Sequence, residues 1–99
     1  MTNIGMTLRT IRNLAGLKQG ELAEKVGVSS NYVSLVENER REPSLKFLRK
    51  VAAELGIPLY VFFWENSVAS DSSDPLSIEI TEKVNNLFWD LIRRKLSRT

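Results

Sequence analysis

Between positions 19 and 46 the sequence gathers Gln19, Ser29, Ser30, Asn31, Ser34 and Asn38, with Arg40, Arg41 and Lys46 just beyond them. A carboxamide donates and accepts hydrogen bonds at once, a hydroxyl does either, and the cations add charge and further donors. Groups of this kind are suited to recognising a partner. The chain has no histidine and no cysteine, so the commonest general base, the commonest metal ligand, the thiolate nucleophile and any disulfide are missing. No nucleophile–base pair or ligand cluster can be assembled from what remains. Neither catalysis nor a cofactor or metal is therefore expected.

The elements that must position these residues follow from the apolar pattern. Ile4, Leu8, Ile11 and Ala15 recur on one helical face, and Gly16 stands where a left-handed stop is usual. A second short helix is expected from Gln19 to Val26, with Leu22, Ala23 and Val26 inward and Gly27 ending it. Ser29 suits the N-cap of a third helix running to about Glu37, with Val33 and Val36 inside. Pro43-Ser44 opens a fourth, whose inner face reads Leu45, Leu48, Val51, Ala52 and Leu55, stopped by Gly56. A short fifth begins after Pro58, at Leu59 to Trp64.

The second and third helices form a constellation. Two short helices joined by a tight turn cross steeply, so the first needs a small residue at the crossing, here Ala23. The turn needs a positive φ, which suits Gly27. Leu22, Val26, Val28, Val33 and Val36 pin both helices to a core and leave the second projecting from the surface.

With these residues in view, Leu17-Lys-Gln-Gly-Glu-Leu-Ala-Glu-Lys-Val-Gly-Val-Ser resembles the lambda-repressor/Cro (XRE-like) helix-turn-helix family. The likeness continues through Val33-Ser34, Glu37-Asn38, Pro43-Ser44-Leu45 and Ala52-Ala-Glu-Leu-Gly-Ile, covering about residues 3–64. Its layout is similar to small phage repressors and restriction–modification controller proteins. The resemblance implies an all-α fold, a five-helix domain over 1–64, that binds double-stranded DNA and regulates transcription.

It also implies roles. The second helix of the motif, about 29–37, lies in the major groove with its N-terminal residues at base edges, so Ser29, Ser30, Asn31, Ser34 and Leu35 are the expected base contacts. Asn31 has the strongest chemistry, because its carboxamide matches adenine N6 and N7. Phosphates are expected at Gln19, at the backbone N–H of Asn38, at Arg40, Arg41 and Lys46, and less firmly at Lys18. Tyr32 either places its hydroxyl on a phosphate or packs on the domain surface. Arg12 and Glu37 are expected to form a structural ion pair that orients the recognition helix. Two departures stand out. Glu39 occupies the place where the family favours Gly, so Asn38 is expected to take the left-handed conformation instead, and the recognition helix has no Lys or Arg.

Charge and composition divide the chain. Residues 1–64 hold nine Lys/Arg against six Asp/Glu, whereas 65–75 hold three acids, no bases and mostly small polar residues, a linker. Beyond it Ile80, Val84, Leu87, Phe88, Leu91 and Ile92 make a wide apolar arc on a helix expected over 76–99, its first turn alternating as an extended segment also would. With Phe63 and Trp64 crowding the end of the domain, these residues are the expected dimerisation surface, suited to a palindromic site. A protein antagonist or a toxin is the other partner such a tail would fit, in an antitoxin, and an interaction module without DNA binding is the remaining alternative. The first residues lack a signal-peptide pattern, and the longest apolar run, Ile57 to Trp64, is far short of the ~20 residues that span a bilayer. A cytoplasmic protein with no membrane partner is expected.

Overall fold

A computed structural model describes residues 4–63 and 75–97, without the side chains of 75–78 and 81. Every described element is helical: α1 Ile4–Leu14, α2 Gln19–Val26, α3 Ser30–Glu37, α4 Leu45–Leu55, a 3-10 turn Leu59–Phe63, and α5 Pro75–Leu96. This is the expected five-helix domain with a C-terminal helix appended. Trp64 and residues 65–74 of the expected linker lie outside the described residues, whereas Pro75, expected as its last residue, belongs to α5. No described helix is long and apolar enough to cross a membrane.

Local signals set the boundaries. Gly16, Gly27 and Gly56 all take positive φ (72°, 75° and 69°), and the latter two close α2 and α4. Ser29 and Ser44 cap α3 and α4, their hydroxyl oxygens accepting the N–H of Tyr32 at 3.0 Å and of Phe47 at 3.1 Å. Pro75 opens α5 at a position where its missing N–H costs nothing. The period-two alternation after it does not produce an extended segment, and the helix runs from the proline onward.

The core gathers Leu8 and Ile11 of α1, Leu22, Ala23 and Val26 of α2, Val33 and Val36 of α3, and Phe47, Leu48, Val51 and Ala52 of α4. Leu8, Ile11, Leu22, Val33 and Val51 are wholly buried, each contributing roughly 1.5–3 kcal/mol relative to exposure. Leu45 departs from the expected pattern. It is 49% exposed, and Phe47 occupies the inner face at 3%. The two lie about 200° apart on the helix, so only one of them can face the core.

Helix α5 has one side packed on the domain and one side exposed. Ile92 and Leu96 are buried against the domain, and Phe88 and Trp89 pack partly upon it. Ile92 was expected on a dimerisation surface; its burial in the chain's own core removes it from any such surface, and Phe88 is covered in part as well. Phe63 is half-buried and packs against the same core. Ile80, Val84, Leu87 and Leu91, spaced i, i+4, i+7 and i+11, stay 54, 44, 62 and 54% exposed. Glu79–Lys83 and Asp90–Arg94 ion pairs flank that stripe at 3.3 and 3.0 Å.

Candidate nucleic-acid interface

The turn between α2 and α3 holds the two helices with opposite faces of α3 doing different work. Val33, Val36 and Glu37 point inward and are buried. Ser30, Asn31, Ser34 and Leu35 form a continuous row on the other face, the first two exposed and the last two half-buried. Ser29 is exposed at the head of that row, with its oxygen already accepting the Tyr32 N–H.

Glu37 is the polar centre beneath the row. Its side chain is fully buried, and Arg12 grips both carboxylate oxygens, Nε at 2.7 Å and a terminal nitrogen at 3.0 Å. The third guanidinium nitrogen donates to the Leu17 carbonyl at 2.7 Å, so one side chain joins α1, the α1–α2 turn and α3. Gln19 donates to the same carboxylate at 3.0 Å, and Arg9 stands 3.6 Å away. Burial would raise the pKa of Glu37, but hydrogen bonds from Arg12 and Gln19 and the charges of Arg12 and Arg9 outweigh it, holding the carboxyl below its ordinary range.

Gln19 therefore has an internal partner. Its amide nitrogen carries two hydrogens, of which Glu37 takes one, and the residue also begins α2, where backbone N–H groups lack intrahelical acceptors. Glu21 satisfies one donor there by accepting the Lys18 N–H at 2.8 Å. Lys18, Arg40, Arg41 and Lys46 are exposed. Arg41 lies 5.0 Å over the Tyr32 ring, which meets Phe47 edge-on at 4.9 Å. The Tyr32 hydroxyl accepts the Ser44 N–H at 3.1 Å, so the ring packs on the domain surface and ties α3 to the start of α4.

Two expectations at the end of α3 are overturned. Asn38 has φ −91°, and Glu39 takes the left-handed conformation with φ 61°. The cost of that conformation, ~1–2 kcal/mol, is offset because the Glu39 carboxylate accepts the Gly5 N–H at 2.8 Å and so caps α1. The Asn38 N–H, expected at a phosphate, donates to the Ser34 carbonyl at 3.0 Å and is spent within the helix.

Gly5 and Arg9 were not singled out in the sequence. With Arg12 they recur at i, i+4 and i+7 on α1 and meet three consecutive residues of α3 and its end: Gly5 with Glu39, Arg9 with Asn38, Arg12 with Glu37. A Cβ at Gly5 would run into the Val36 carbonyl and the Glu39 carboxylate, so only glycine lets α1 approach so closely. Their helical spacing was the available signal.

A family model described as Helix-turn-helix matches residues 8–62. The chain belongs to the helix-turn-helix family. It is 38% identical over 63 residues to the HTH-type transcriptional regulator SinR of Bacillus subtilis (strain 168), covering 63% of this chain and 57% of that protein. It is 34% identical over 68 residues to the immunity repressor protein of Bacillus phage phi105, covering 69% and 47% respectively. The chain thus spans about half the length of these relatives. Among solved structures, a SinR protein/SinI protein complex contains a chain that matches with TM-score 0.60 at 29% identity, covering 96% of this chain and 99% of that one. The names of the Bacillus subtilis and phage relatives are those of a transcriptional regulator and of an immunity repressor.

Proposed function

We propose that this helix-turn-helix protein is a sequence-specific DNA-binding transcriptional regulator that inserts α3 into the major groove and acts as a dimer on a roughly palindromic operator. The observation that carries the reading is the division of α3: one face is anchored by Val33, Val36 and the buried Glu37, and the other presents Ser30 and Asn31 exposed with Ser34 and Leu35 half-buried beside them. Asn31 reads adenine through N6 and N7, Ser30 and Ser34 pair with base edges, and Leu35 packs on a thymine methyl. Gln19, the start of α2, Arg40, Arg41 and Lys46 hold phosphates on either side, with Lys18 and the Tyr32 hydroxyl proton as further donors. Because α3 has no cation, affinity rests on these flanks and on two copies of the domain.

The second copy is supported by the stripe Ile80, Val84, Leu87 and Leu91, a run of large apolar side chains left open while the adjacent face of α5 is buried. In this reading residues 1–64 bind DNA, 65–75 link, and 76–99 dimerise. Half-sites one DNA turn apart, ~34 Å, require two recognition helices related by a twofold axis. A protein partner is the second reading for the same stripe, supported by the likeness of α5 and the domain together to a chain taken from a complex of two proteins. Mobility shifts on genomic fragments at rising salt test the central reading. A specific complex at ~50–100 mM salt that weakens steeply as salt rises supports it, and no complex with folded protein overturns it.

A further inference from the structure

The Asn38 side chain connects α1 to the outward row of α3. Arg9 donates from a terminal nitrogen to Asn38 Oδ1 at 2.9 Å. On its other side Asn38 Nδ2 donates to the Ser34 carbonyl at 2.9 Å and to the Ser34 hydroxyl oxygen at 3.3 Å. The orientation of this amide is not arbitrary. A guanidinium has donors only, so the atom facing Arg9 must be the amide oxygen, and the nitrogen is then turned toward Ser34.

That turn has a consequence for Ser34. A serine hydroxyl has one proton and two lone pairs, and by itself it suits either kind of base-edge atom. Once Asn38 Nδ2 donates into one lone pair, the hydroxyl is biased to send its own proton outward. We infer that Arg9 and Asn38 are positioning residues that set Ser34 as a hydrogen-bond donor, so that it selects base edges presenting acceptors. In the major groove those are guanine O6 and N7, adenine N7 and thymine O4; cytosine, which presents its N4 amino donor there, is disfavoured. This inference rests on the reading that the α3 row meets base edges. It goes further by assigning the polarity of one contact to two residues that touch no base.

The test is selection of bound sequences from a random duplex pool with the wild-type protein and four variants. Wild type is expected to disfavour cytosine about fivefold or more at one position per half-site, and Ser34→Ala to erase that discrimination. Asn38→Asp replaces the donor by an acceptor-only group. The Ser34 proton then turns inward, its lone pairs face the DNA, and the preference at that position moves toward cytosine or adenine amino groups. Arg9→Met frees the amide and relaxes the discrimination, whereas Arg9→Lys, which still presents only donors, retains it. A residue that merely stabilised the fold would lower affinity for all sequences alike and leave the preference unmoved. If Ser34→Ala erases the discrimination while Asn38→Asp and Arg9→Met leave it as in wild type, the inference is wrong and the reading of α3 stands. If Ser34→Ala changes nothing, Ser34 reads no base and the inference fails with it. A wild-type protein that enriches no sequence overturns both.

Discussion

The guanidinium of Arg12 spans both carboxylate oxygens of Glu37, at 2.7 and 3.0 Å, across 25 residues of chain. Arg12 lies near the end of α1 and Glu37 ends α3, so the pair sets the roll of α3 and with it which residues face outward. A buried bidentate pair of this kind loses most when one partner is removed, because the other is left charged and unpaired.

Replacing Glu37 by Gln should therefore destabilise the domain by ~3–5 kcal/mol near neutral pH, measured by denaturant unfolding. The effect should also depend on acid. A carboxyl held below its unfolded pKa stabilises the fold above that unfolded value, ordinarily 4.5, and the contribution is lost as pH falls through the lower folded value. The gap between wild type and Glu37→Gln should accordingly narrow between pH 7 and ~3. A gap of equal size at both pH values would mean that the carboxylate charge contributes nothing.

At the other end of α1, Gly5→Ala should cost ~1–3 kcal/mol, because the added methyl meets the Val36 carbonyl and the capping Glu39 carboxylate. Thermal unfolding measures it. An unchanged or raised Tm would show that α1 can draw back from α3 at no cost.

The two faces of α5 should separate experimentally. Ile92→Ala should cost ~2–4 kcal/mol in folding stability, since that side chain is buried in the core. The double change Leu87→Asp with Leu91→Asp should leave the domain folded but sediment as a monomer, with sharply weaker operator binding. Dimers that persist in the double variant would move the interface off the exposed stripe.

The helices and the core were largely legible in the sequence because capping serines, glycine stops and apolar spacing are local signals. Ser29, Ser44, Gly27 and Gly56 each mark a boundary that the structure keeps. What was not legible depends on how helices approach one another. Leu45 and Phe47 both fit an apolar face near the start of α4, and only packing against Tyr32 and the core decides for Phe47. Glu39 at positive φ runs against residue preference and becomes sensible only when the α1 N-terminus is seen beside it. Arg9 reads as a solvated surface cation until Asn38 is found within reach. The division of α5 was half legible: its wide apolar arc stood out in the sequence, but not that Ile92 belongs to the side packed on the domain.

Among the proposed DNA contacts, Gln19 and Asn31 should behave differently. Gln19→Ala removes a donor to Glu37 and a phosphate neighbour, so it should weaken binding to all sequences by a similar factor. The check is affinity for operator and for unrelated duplex side by side. A loss confined to the operator would assign Gln19 to base reading instead.

The reading of α3 as the base-contacting helix is tested most directly by sequence selection with wild type and Asn31→Ala in parallel. Wild type should enrich a roughly palindromic motif. The substitution should cost ~1–3 kcal/mol on that motif and relax one base-pair position in each half-site, leaving the others intact. An Asn31→Ala protein that enriches the identical motif at undiminished affinity would contradict the placement of Asn31 at a base edge.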